Sequence, residues 1–132
     1  MPATELLHTM IRILDEERSL AFYRALGFEE RGRKRVGGDT ATVIFLGLPG
    51  DADRLELTLN DGRTEPYEVG TGYGHIALSI PDLDAELERL AGFGIHPEKP
   101  PYQSRPGGSR ICFVRDPDDY RIEMIQAGSR ED

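Results

Sequence analysis

One fixed spacing recurs along this chain, and it constrains the fold more than any other feature. His8 and His75 stand 67 positions apart, and so do Glu56 and Glu123. The same offset of 67 relates Asp15 to Asp82, Gly27 to Gly94, Ile13 to Ile80, Leu20 to Leu87 and Arg54 to Arg121. Helix caps, helix stops and core positions that match at one offset mark a tandem duplication. A period this long exceeds a solenoid unit and suits two fused half-domains.

Local patterning supplies the content of each half. Leu7–Ile13 is rich in apolar and β-branched residues and reads as a strand. Asp15 then serves as N-cap for a helix over Glu16–Leu26, with Leu20, Tyr23 and Leu26 at helical spacing and Gly27 as its stop. Shorter strands are predicted around Phe28–Arg35, Thr40–Leu46 and Arg54–Asn60, separated by Gly- and Asp-rich turns. The second half repeats the plan. It has a strand at His75–Ile80, a helix capped by Asp82 that carries Leu83, Leu87 and Leu90, and stops at Gly92 and Gly94. Strands at Arg110–Val114 and Tyr120–Ile125 follow, joined through the turn Asp116–Asp119. The expected class is α+β: two βαβββ modules, about 6–62 and 73–126, in one domain spanning 1–132. Only the tail Ala127–Asp132, poor in apolar residues, is expected to lack order.

Composition narrows the function. A length of 132 residues allows one core of ordinary size. A net charge of −8 leaves no basic footprint for nucleic acid and argues against anionic membranes. An anionic small substrate would have to be met by local arginines. No basic-then-apolar leader opens the sequence, and apolar runs such as Val43–Leu46 are too short to span a bilayer. The single cysteine, Cys112, lies in an apolar run and reads as a small buried hydrophobe. The expectation is a cytoplasmic protein.

Alternation along the strands singles out four residues. In Arg54–Asn60 the leucines share one face, and Arg54, Glu56, Thr58 and Asn60 share the other. His8, Met10 and Arg12 share a face of the first strand; His75, Ala77 and Ser79 share one in the second half; Arg121, Glu123 and Ile125 share one in the last strand. A lone strand histidine is usually structural, and a lone glutamate usually faces solvent. His96, in a loop after a helix stop, is read that way, as an exposed loop residue. Equivalent placement in two copies makes His8, Glu56, His75 and Glu123 a set. Two imidazoles and two carboxylates form a borderline nitrogen and oxygen donor set, suited to nickel, cobalt, zinc, iron or manganese.

Four segments in order carry a family resemblance: Leu7-His8-Thr9-Met10-Ile11-Arg12; Leu55-Glu56-Leu57-Thr58 with Asn60; Thr71-Gly72-Tyr73-Gly74-His75-Ile76-Ala77; and Asp116-Pro117-Asp118-Asp119-Tyr120-Arg121-Ile122-Glu123. Over about Leu6 to Gln126 the chain resembles the glyoxalase I (lactoylglutathione lyase) enzymes of the vicinal-oxygen-chelate superfamily, especially their short bacterial branch. The resemblance implies paired βαβββ modules forming a cupped mixed sheet around a divalent metal held by His8, Glu56, His75 and Glu123. It also implies a homodimer whose sites take His8 and Glu56 from one subunit and His75 and Glu123 from the other. A histidine at position 8 is similar to the nickel- or cobalt-activated branch, with zinc as the alternative.

The implied reaction turns the methylglyoxal–glutathione hemithioacetal into S-lactoylglutathione by proton transfer through an enediolate. Glu123 is the candidate base and Glu56 the alternative. Arg12 and Asn60 match positions that contact the glutathione cosubstrate, and Arg105 falls near the place where the family has a basic residue before paired glycines, a further candidate contact. The chain departs from the family pattern at Asp119, where a turn glycine is common, and at Arg105-Pro106, where lysine and glycine are usual. These departures bear on the thiol rather than on the metal. Two alternatives stay open: another metal-assisted isomerase or epimerase on the same scaffold, or a metal-free drug-sequestering binder.

Overall fold

A computed structural model describes residues 1–128, which fall into two units divided between Tyr67 and Glu68. The first unit runs β1 (Thr9–Ile13), α1 (Glu16–Ala25), β2 (Glu29–Val36), β3 (Ala41–Gly47) and β4 (Leu55–Asn60). Its sheet has the order β1-β4-β3-β2, with β1 parallel to β4 and the other neighbours antiparallel. The second runs β5 (Ile76–Ile80), α2 (Leu83–Ala91), β6 (Tyr102–Gln103), β7 (Arg110–Arg115) and β8 (Arg121–Gln126). Its sheet has the matching order β5-β8-β7-β6, with β5 parallel to β8. Two helices and two four-stranded mixed sheets make an α+β protein.

The helices begin where the sequence places them. Asp15 accepts from the Arg18 amide at 3.0 Å, and Asp82 accepts from the Ala85 amide at 3.1 Å. Each cap satisfies an otherwise orphaned amide and contributes about 1 kcal/mol. Gly27 follows α1 with φ +110°, and Gly94 follows α2 with φ +77°, a region that favours glycine. Asp119 also takes a left-handed φ, +75°, in the turn between β7 and β8, where Arg115 Nη1 donates to its carboxylate at 3.0 Å.

One face of each sheet makes core. Ile11, Ile13, Leu55 and Leu57 are buried in the first unit, and Leu78, Ile80, Ile122 and Met124 in the second. Tyr23 stacks edge-on against Phe22 and Phe28, and Gln126 Oε1 accepts from the Leu83 amide at the start of α2. Edge strand β2 carries Glu29, Glu30, Arg31, Arg33, Lys34 and Arg35, a charge density that discourages edge-to-edge pairing. No helix among the described residues is long and apolar enough to cross a membrane.

Three expectations need correction. Both histidines precede their strands rather than lying inside them, because β1 begins at Thr9 and β5 at Ile76. The second unit has a further strand, β6, whose Tyr102 and Gln103 pair with Ile111 and Arg110 and complete the βαβββ pattern. Finally, the tail expected to lack order begins as structure, since the Ala127 amide donates to the Ile80 carbonyl at 2.8 Å. The remainder of that tail, 129–132, lies outside the described residues. Cys112 is fully buried, as expected, and desolvation pushes its thiol up to about 11, so it stays protonated at neutral pH.

Candidate metal centre

The parallel pairing of β1 with β4 sets Met10 opposite Glu56, and that of β5 with β8 sets Ala77 opposite Glu123. Each glutamate is thus diagonal to the histidine that precedes the neighbouring strand. His8 Nε2 lies 2.7 Å from Glu56 Oε2, and His75 Nε2 lies 3.0 Å from Glu123 Oε1. Exposure repeats too: the histidine side chains are 39% and 40% exposed, and both glutamates are 14% exposed. The four residues predicted as a set therefore form two matching pairs, one in each unit.

Local contacts fix the segment that carries each histidine. The Thr9 amide donates to the Arg54 carbonyl at 2.9 Å, and Arg54 Nη1 returns to the Leu6 carbonyl at 2.7 Å, so bonds lie on both sides of His8. In the second unit the Tyr73 hydroxyl donates to the Arg121 carbonyl at 2.9 Å, two residues before His75. Burial, with help from Asp116 and Tyr120, pushes the Tyr73 hydroxyl up to about 12, which keeps it a donor at neutral pH.

A mostly buried carboxylate requires a hydrogen-bonding or positive partner. Each pair brings one imidazole nitrogen and one carboxylate oxygen into direct contact, a donor combination of the kind that borderline divalent ions take. Among the described residues, no three His, Cys, Asp or Glu side chains come together as a potential metal site.

The three proposed substrate contacts are placed differently from one another. Arg12 is exposed on β1, on the same face as Met10, and its side chain has no ion-pair or hydrogen-bond partner among the described residues. Asn60 ends β4, where its amide donates to the Tyr67 hydroxyl at 2.9 Å. Arg105 is exposed in a turn closed by the Gly108 amide on the Arg105 carbonyl at 3.0 Å. His96 is exposed, as its loop setting implied.

Sequence reasoning missed several neighbours of the site. Phe113 meets the His75 ring edge-on at 5.4 Å, and the Arg121 guanidinium lies 3.8 Å over the Phe113 ring. Glu98 grips Arg121 through both carboxylate oxygens at 3.0 and 2.9 Å. Tyr67, which holds Asn60, was also missed. The signal for Phe113 lies in its register opposite Glu123, which becomes readable once the Asp116–Asp119 turn fixes the pairing of β7 with β8.

Comparison with known proteins supplies the family. A model of the Glyoxalase/Bleomycin resistance protein/Dioxygenase superfamily matches residues 5–124. A lactoylglutathione lyase of Neisseria meningitidis is 39% identical over 130 residues, covering 96% of this chain and 94% of that protein. The crystal structure of glyoxalase I from Zea mays superposes with a TM-score of 0.82 at 30% identity, over 92% of this chain. This chain spans only 44% of the maize one. The trypanothione-dependent glyoxalase I of Leishmania major superposes with a TM-score of 0.75 at 34% identity, over 94% of this chain and 87% of that one. By the family model that spans most of its length, by sequence and by fold, the chain belongs to the Glyoxalase/Bleomycin resistance protein/Dioxygenase superfamily.

Proposed function

We propose that this protein is a lactoylglutathione lyase that isomerises the methylglyoxal–glutathione hemithioacetal to S-lactoylglutathione. The observation that carries the reading is the duplicated His–Glu pair, 2.7 Å in one unit and 3.0 Å in the other. The lyase relative that matches nearly end to end supports the reaction class. His8, Glu56, His75 and Glu123 would hold the metal, with nickel or cobalt favoured over zinc because a histidine stands at position 8. When bound, the ion supplies Lewis-acid stabilisation of the negative charge that builds on the substrate's vicinal oxygens.

The protein's own work is proton transfer and positioning. Glu123 takes the proton from the carbon that bears sulfur, leaving an enediolate, and returns it to the neighbouring former carbonyl carbon, while the hydroxyl proton passes from the oxygen on the sulfur-bearing carbon to the oxygen of its neighbour. The two steps balance with no net redox change. Glu56 is the alternative base, since its exposure and its distance from histidine nearly match those of Glu123. Arg12, whose side chain has no partner among the described residues, would meet a carboxylate of the thiol, joined by Asn60 and Arg105.

The same proposal includes the subunit arrangement. Each unit carries one histidine and one glutamate at an outer strand and its neighbour, so a four-ligand site needs two such units. In this reading they come from the two subunits of a homodimer. The superfamily match runs through both units, which supports treating 1–132 as one functional domain of two repeats. A cytoplasmic setting completes the reading.

The test is thioester formation from methylglyoxal and glutathione by protein stripped of metal and reloaded separately with nickel, cobalt and zinc. Turnover restored by metal supports the proposal. Turnover with trypanothione but not glutathione would keep the reaction and change the thiol. Metal binding with no thiol turnover would favour an epimerase, and neither binding nor turnover would favour a sequestering protein.

A further inference from the structure

We infer that Phe113 is a positioning residue for His75, which makes the His75–Glu123 half-site the preorganised one. The inference rests on the metal-site reading above and deepens it. Phe113 is 8% exposed, and its ring is held from two directions. On one it meets the His75 imidazole edge-on, with centroids 5.4 Å apart and planes at 68°. On the other the Arg121 guanidinium lies over the ring at 3.8 Å.

The guanidinium is itself fixed. Glu98 binds it through both oxygens, and Glu98 is anchored in turn by its own amide on the Phe113 carbonyl at 2.8 Å and by Arg115 Nε at 2.7 Å. Glu98, Arg121, Phe113 and His75 therefore form a continuous chain of contacts that limits rotation of the imidazole. Pairing with Glu98 also offsets the Arg121 charge close to Glu123, where an unpaired cation would oppose a divalent ion.

The first unit lacks this device. Phe45 lies opposite Glu56 in the β3–β4 register, as Phe113 lies opposite Glu123 in β7–β8. Its ring faces Lys34 Nζ at 5.6 Å, and His8 has no aromatic contact among the described residues. Arg54, the counterpart of Arg121, is turned to the Leu6 carbonyl and the Asp51 carboxylate. The two half-sites thus share their donors and differ in what supports them. A ligand whose orientation is fixed in advance binds metal more tightly than one that must be ordered on binding.

The experiment titrates metal-free, full-length protein with cobalt against a chromogenic chelator, comparing wild type with Phe113→Leu, Phe113→Met, Phe113→Tyr and Phe45→Leu. Loss of the ring at position 113 is expected to weaken cobalt binding about 10-fold or more, the size of effect that supporting groups around metal ligands produce. Phe113→Tyr restores the affinity, and Phe45→Leu, which removes the same ring from the other unit, changes it little. The cobalt absorption spectrum shifts in the leucine and methionine variants and stays as wild type in the tyrosine variant. Should Phe113→Leu fail to fold, Phe113→Met decides. Wild-type affinity in the folded Phe113 variants, or equal losses at positions 45 and 113, overturns the inference while leaving the metal site standing. A wild-type protein that binds no cobalt overturns the metal-site reading and the inference with it.

Discussion

His75 and Glu123 meet through Nε2 and Oε1 at 3.0 Å, across the parallel pairing of β5 with β8. Sixty-seven residues earlier the chain makes the same contact between His8 and Glu56, from the same register and to the same exposure. Such a match requires each sheet to hold its strand pair in one alignment, since a slip of one residue would turn the glutamate into the core. The leucines at 55 and 57, and Ile122 and Met124, enforce that alignment by burial on the opposite face.

Glu123→Gln removes the assigned base while keeping size and hydrogen bonding. Turnover of the hemithioacetal is expected to fall by roughly 10²- to 10⁴-fold, the range general-base catalysis supplies, with the circular dichroism spectrum unchanged. Glu56→Gln should lose less. If Glu56→Gln proves the more damaging, the roles of the two glutamates are reversed.

Arg12→Ala tests thiol recognition. Arg31, Arg33, Arg35, Arg54, Arg110, Arg115 and Arg121 are all in ion pairs, whereas the Arg12 side chain is unengaged among the described residues. Its loss should lower kcat/KM for the thiol adduct by about 10- to 100-fold, the worth of one hydrogen bond to a charged group, with metal affinity intact. An unchanged kcat/KM would return Arg12 to the ordinary surface charges.

Much of this was legible from the sequence because it depends on short-range rules. Asp15 and Asp82 announce their helices by residue type, and the glutamates reveal their face by alternation with Leu55, Leu57, Ile122 and Met124. Strand β6 was not legible. It is two residues long, follows Pro100 and Pro101, and exists because Ile111 and Arg110 offer it partners. The kinship of Phe45 and Phe113 was hidden for another reason. They stand 68 apart rather than 67, because the path from Phe45 to Glu56 is one residue longer than that from Phe113 to Glu123. Subtraction at a single offset passes over such a pair.

Subunit complementation tests the proposed dimer. One chain carries His8→Ala with Glu56→Ala, the other His75→Ala with Glu123→Ala, and neither homodimer should turn over. Mixed dimers should regain activity, because one of their two sites then draws all four ligands from intact halves. Mixtures that remain inactive although heterodimers form would place the four ligands within one chain.

Acid sensitivity follows from the surface pairs. Arg33 holds Glu30 below the usual carboxylate range, Arg35 does the same to Asp61, and Arg110 to Asp84. A carboxylate lowered in the folded state adds stability above its unfolded pKa, about 4, and loses it as pH falls through the folded value. Tm should therefore be flat between about pH 7 and 5 and decline below about 4. Glu30→Gln should make that decline slightly shallower; an unaltered slope would mean that the Glu30–Arg33 pair adds nothing to stability.

The claim on which the rest depends is that the two His–Glu pairs serve one ion jointly. Equilibrium dialysis of metal-free protein against nickel, with bound metal counted for wild type, His8→Ala and His75→Ala, tests it most directly. The account predicts one tightly held nickel per chain in wild type, and loss of tight binding when either histidine is removed. Two ions per wild-type chain, or tight binding that survives either substitution, would contradict it.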